Sequence, residues 1–224
     1  MKIRFLIISL TSLIALTSYA QSTQELRDSL STLIRQLNYH QEDIDMRLRK
    51  ASLNMQLEQW QYAIDEYTAV LKLDEGNLTA LRYRAYAYER VGLHQFARAD
   101  YETVLKVVPD NFETLLGLAL LNQKDKRVTM AMDQINRLVE LYPDSAIAFA
   151  ARAGIELERK LPELAEYDFS EAIRLDPSNA DYIISRAEVR IALGRKREAR
   201  EDLLRVLSLG VNRAEIAHLL KRCN

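Results

Sequence analysis

Three histidines, one cysteine and 32 acidic residues are what this 224-residue chain offers for chemistry. His40, His94 and His218 share no local spacing, and no His-Glu-x-x-His pair sets two imidazoles on one helix face, as a zinc hydrolase requires. His40 stands near Glu42, Asp43 and Asp45. An oxygen-rich junction of this kind is a solvated polar turn unless a fixed geometry converges on an ion. The glycines at 76, 92, 117, 154, 194 and 210 are isolated, so neither a phosphate-cradling loop nor a Gly-x-Ser-x-Gly elbow can be built. The lone Cys223 excludes an intrachain disulfide and a thiolate-rich zinc site. Catalysis needs convergent groups of tuned acidity in a water-excluding pocket, and here the reactive types are dispersed. The expectation is no catalytic residue, no metal site and no cofactor.

The elements that carry these residues belong to a folded chain, since 48% hydrophobic and 28% charged residues is a globular composition. A net charge of −1 gives no electrostatic footprint for nucleic acid. Lys2 and Arg4 precede an apolar stretch from Phe5 to Leu16, and Ser18 and Ala20 close it at small-residue positions. This order describes a secretory signal peptide over residues 1–20, with residue 21 as the mature N-terminus. The expected location is extracytoplasmic, a bacterial periplasm in the first instance. An uncleaved anchor is the alternative, but the stretch is short of the roughly 20 residues that span a bilayer. The mature form is expected not to span the membrane.

Alanine recurs at 51, 85, 119, 153 and 187, and again at 63, 97, 131, 165 and 199, each series at intervals of 34. Pro109, Pro143 and Pro177 keep the same spacing, as do Tyr67, Tyr101, Ile135, Phe169 and Leu203. A fixed period of this length is the signature of a repeat architecture, and it divides the chain into 44–77, 78–111, 112–145, 146–179 and 180–213. Within a unit apolar residues fall twice at helical spacing, as at Leu81, Ala85 and Tyr88, then Ala97, Tyr101 and Val104. Asn77, Asn111, Ser145 and Asn179 end the units as N-caps for the next helix. Each unit is therefore a helical hairpin, and alanine falls where two helices must approach closely.

These residues resemble the tetratricopeptide repeats, a family with a 34-residue helix–turn–helix unit, small residues at positions 8 and 20, an aromatic near 24 and proline at 32. The resemblance covers 44–213. It implies an all-α fold, an α-solenoid of five repeats closed by N- and C-terminal capping helices. Position 4 departs from the family's frequent tryptophan with Arg47, Leu81, Leu115, Phe149 and Ile183, and Arg47 is expected to face the N-terminal flank.

Both flanks read as caps. Asn212 and Glu215 open a last helix over 214–224 whose apolar stripe is Ile216, Leu219 and Leu220. Residues 22–43 read as an amphipathic helix with Leu26, Leu30, Leu33 and Leu37 on one side. It packs on the first repeat or forms a dimer seam; Cys223 is a second candidate for joining two chains.

The resemblance also implies function. It points to a non-enzymatic scaffold that binds a peptide or helix of a partner protein along first-helix positions 2, 5, 9, 12 and 13. The candidate groove residues are Arg82, Tyr86, Arg90, Leu116, Leu120, Lys124, Gly154 and Leu157. The family's clamp for chaperone carboxylates is not matched, because its register would fall on Arg82, Tyr86, Gly117, Ile147 and Ala151, which offer one cation. The alternative is a structural subunit of an envelope assembly, held through its convex surface or ends.

Overall fold

The computed structural model describes residues 23–224, so the signal-peptide segment 1–20 lies outside the described residues. Twelve helices and no strand occur among the described residues. The first, α1, covers 23–37. The hairpins follow as α2 (Ile44–Gln56) with α3 (Trp60–Leu73), α4 (Leu78–Arg90) with α5 (His94–Val107), and α6 (Phe112–Lys124) with α7 (Val128–Leu141). Next come α8 (Ala146–Glu158) with α9 (Pro162–Leu175), α10 (Ala180–Ala192) with α11 (Lys196–Ser208), and the terminal α12 (Arg213–Arg222). The fold is an all-α helical repeat. The chain divides into two compact units, one up to Val104 and one from Leu105.

Local chemistry sets every boundary. The side chains of Asp43, Asn77, Asn111, Ser145, Asn179 and Asn212 each accept an amide of the helix that follows, satisfying donors that the helix itself leaves unpaired. Each hairpin turns through one left-handed residue, at Glu58, Gly92, Lys126, Lys160 and Gly194, with φ of 56°, 80°, 60°, 60° and 78°. The following amide then reaches back to close the helix end, as Leu93 N does to Tyr88 O at 2.8 Å. The three prolines sit two residues past the ends of α5, α7 and α9, where no helical amide is needed. Asp43 also explains why α1 ends at 37, earlier than the helix expected over 22–43. Its cap bond from Met46 N at 2.8 Å opens a new helix, and residues 38–42 turn between the two.

All ten periodic alanines are fully buried. In the first unit Ala51, Ala63 and Ala80 pack with Tyr67, Val70 and Leu81. In the second, Ala119 and Ala131 pack with Ile135, Leu138 and Phe149, and Ala187 and Ala199 with Leu203, Val206 and Ile216. Interiors packed at crystal density have no space for an added isobutyl group. Ala131→Leu is expected to cost about 1–3 kcal/mol, read as a lower midpoint in urea unfolding. Ile216, Leu219 and the partly buried Leu220 turn to the last core cluster, as does Cys223, which is buried in it.

Three of the carboxylates are held by arginine forks between helices. Arg84 Nε and Nη2 donate to Asp100 at 2.7 and 2.8 Å, and Nη1 donates to Thr68 at 3.1 Å. The same fork recurs from Arg152 to Asp168 at 2.6 and 2.7 Å, with Asn136 as third acceptor. It recurs again from Arg186 to Asp202 at 3.0 and 2.6 Å, with Ser170 as third acceptor. Each arginine thus joins the two helices of its own hairpin and the second helix of the hairpin before. The first repeat uses Lys50 and Glu66 at 2.6 Å. The third carries Leu118 and Gln134 instead, and Gln134 accepts from Asn122 Nδ2 at 2.8 Å. Burial is the reason the pairs differ from surface ion pairs: the Asp168 side chain is 1% exposed.

Candidate functional site

In the first unit, α2, α3 and α4 line an open cleft of about 490 Å³. Its walls include Leu48, Met55, Trp60, Tyr83 and Tyr86, with Arg49 at its edge and no carboxylate in its lining. Trp60 and Tyr86 meet edge to face, ring centroids 6.0 Å apart. The Arg90 guanidinium lies 4.5 Å from the Trp60 ring centre and donates to the Tyr86 hydroxyl at 3.2 Å. Arg82 lies 4.3 Å from the ring centre of Tyr83, and Tyr83 stacks on Tyr67. Tyr67 forms the floor; its hydroxyl donates to Met55 Sδ, and burial pushes its pKa well above the ordinary tyrosine range. Of the residues expected here, Arg82 is half-buried and Tyr86 and Arg90 are exposed. Trp60, Tyr83 and Arg49 were missed by confining the groove to family positions on first helices. Trp60 opens a second helix, and its signal was being the chain's only tryptophan.

In the second unit, α6 also touches α8, the first helix of the next hairpin. The candidate residues on these helices separate into two kinds. Leu116 and Ala150 are partly buried and pack against the core. Leu120, Ile147 and Leu157 are exposed to 40%, 52% and 39%, with Lys124 exposed on the same helix as Leu120. A helix that buries Leu115, Leu118, Ala119 and Leu121 yet presents Leu120 has more apolar surface than its own packing uses.

Gly154 is not a point of forced close approach. A Cβ built there meets no heavy atom within 4 Å, and the residue lies inside α8. Gly154→Ala is therefore expected to stabilise by about 0.5–1 kcal/mol, measured as a raised urea midpoint.

One group near this face titrates unusually. Glu156 is 5% exposed, one of its oxygens has no hydrogen-bond partner, and burial foremost, then the Asp168 charge, pushes its carboxyl up to about 7 from 4.5. The folded state therefore holds a proton that the unfolded chain releases, so this group's contribution is full below about 4.5 and is lost as pH rises through 7. Glu156→Gln should gain stability relative to the parent at pH 8 and lose that advantage at pH 4.5. Urea midpoints of the two proteins at both pH values check the sign.

Among the described residues no group of three His, Cys, Asp or Glu side chains is placed to hold a metal ion. No helix among them is long and apolar enough to cross a membrane.

A family model for the tetratricopeptide repeat matches residues 90–146 and 131–180. A DnaJ protein P58IPK homolog from Arabidopsis thaliana is 27% identical over 176 residues, 77% of this chain and 32% of that protein. The chain thus spans about a third of the length of the curated relatives it matches. A tetratricopeptide repeat protein from Parabacteroides merdae superposes with a TM-score of 0.71 at 22% identity, covering 91% of this chain and 79% of that one. YrrB, described as a TPR protein with an unusual peptide-binding site, superposes with a TM-score of 0.61 at 18% identity, covering 84% of this chain and 97% of that one. Residues 90–180 thus match the tetratricopeptide repeat, and the same buried-alanine period runs on both sides of them.

Proposed function

We infer that the protein is a non-enzymatic scaffold that binds a segment of a partner protein through the exposed faces of its first helices. The observation that carries this reading is the apolar surface at Leu120, Ile147 and Leu157, each at least 39% exposed on helices whose other apolar residues are buried or partly buried. Exposed apolar stripes beside charge mark interaction sites, and an extended segment or amphipathic helix with apolar anchors suits this one. Repeats of this family supply such surfaces for protein partners, and YrrB, a fold relative, has a peptide-binding site by its description. The signal-peptide pattern at 1–20 supports a workplace in the cell envelope. N-terminal sequencing of the exported protein should give residue 21.

A second reading has its own observation. Repeat position 19, on the second helices, carries Tyr62 and Phe96 in the first unit at 64% and 58% exposure, and Met130 and Leu164 in the second at 52% and 51%. A row of this kind suits a subunit held through its second helices. Photo-crosslinking in the native host separates the two, with the crosslinker at position 120 in one protein and at 164 in another. The scaffold reading expects the partner at 120, and a partner found only at 164 overturns it.

A further inference from the structure

Resting on the scaffold reading, we propose that the cleft of the first unit takes an acidic peptide segment, seating one bulky apolar side chain in the corner that Trp60 and Tyr86 form. Shape and charge both favour this occupant. The walls are apolar and aromatic, and the rings of Trp60 and Tyr86 stand 73° apart, a corner that holds a ring or branched side chain on two faces. The volume of about 490 Å³ fits an anchor with its neighbouring backbone.

Charge selects what flanks the anchor. Arg49, Arg82 and Arg90 stand at or over the lining residues. Ion pairs of the first unit include those from Arg47, Lys50 and Arg84 to Glu66 and Asp100. Arg82 and Arg90 are held in place by aromatic faces and, for Arg90, by the Tyr86 hydroxyl. Such contacts leave further N–H groups of each guanidinium for a carboxylate. A pre-positioned cation loses less side-chain freedom on binding than a free one. A basic peptide would meet three cations and no carboxylate in the lining. Single-stranded nucleic acid also uses aromatic and arginine groups, but it needs a positively charged track along its backbone. A chain of net charge −1 favours the peptide.

The chain's single tryptophan lies in the cleft, so its emission reports occupancy. The full chain is titrated with an end-capped acidic hexapeptide bearing one central phenylalanine. Three further probes are its lysine counterpart, its serine-for-phenylalanine counterpart, and a dT hexanucleotide. The expected result is a saturable shift in emission with the acidic phenylalanine peptide alone. In anisotropy with the same peptide labelled, Arg90→Ala and Tyr86→Ala should each weaken binding about tenfold, with circular dichroism and melting near the parent. Tyr167→Ala, exposed on α9 in the other unit, should leave this titration unchanged. Equal response to all three peptides, tighter binding of the oligonucleotide, or no saturable response overturns the proposal. A partner crosslinked at position 120 alongside a silent cleft would remove this inference and leave the scaffold reading standing. Peptide binding that survives both Arg90→Ala and Tyr86→Ala places the peptide elsewhere and also removes it.

Discussion

Arg152→Ala is expected to destabilise the second unit by about 3–5 kcal/mol, because it strands a carboxylate in the interior. The Asp168 side chain is 1% exposed and receives two donors from Arg152. Arg152 also lowers the proton affinity of Glu156, so its loss removes a cation from beside two neighbouring acids. Urea unfolding at pH 7 reads the effect. The third repeat supplies the control. At the positions equivalent to Arg152, Glu156 and Asp168 it carries Leu118, Asn122 and Gln134, and this set is neutral, with Asn122 bonded to Gln134. Transplanting the set as Arg152→Leu, Glu156→Asn and Asp168→Gln should recover most of the loss. Replacing a buried ion pair by fitted neutral groups is commonly neutral or favourable. If the single and triple variants are equally destabilised, the cost lies in packing rather than in the stranded charge.

That comparison also shows what the sequence alone could and could not disclose. Ala51, Ala85 and their successors were legible because one residue type recurs at a position where only a small side chain fits. The caps at Asn77, Asn111, Ser145 and Asn179 were legible because capping is local chemistry. The ion-pair ladder was not, since its members change type from repeat to repeat: Lys50 with Glu66, Arg84 with Asp100, Leu118 with Gln134. A pairing sixteen residues apart becomes visible only when the hairpin brings the two helices together. The left-handed turn residue was partly hidden for the same reason, glycine at 92 and 194 but lysine at 126 and 160. In the candidate groove, periodicity put Leu116 and Leu120 on one stripe. Core contact at Leu116 and exposure at Leu120 depend on how α6 sits against its neighbours, which spacing does not specify. Trp60 reaches the first-unit cleft from the start of a second helix, a route no single-helix stripe contains.

The second large effect concerns binding. Arg82→Ala should cost modestly and act mainly by slowing association at low salt, as loss of a peripheral charge does. Leu120→Asp should be severe, because it replaces an exposed apolar anchor with a solvated charge on the binding face. Leu120 is 40% exposed, so aspartate there reaches water in the free protein and the variant should melt near the parent.

The most direct measurement is therefore calorimetric titration of the partner, recovered by crosslinking at position 120, against parent and Leu120→Asp proteins matched by melting temperature. The scaffold account predicts a loss of about 2 kcal/mol or more, roughly thirtyfold in affinity. Equal affinities for two equally folded proteins would contradict it and place the partner away from the first helices.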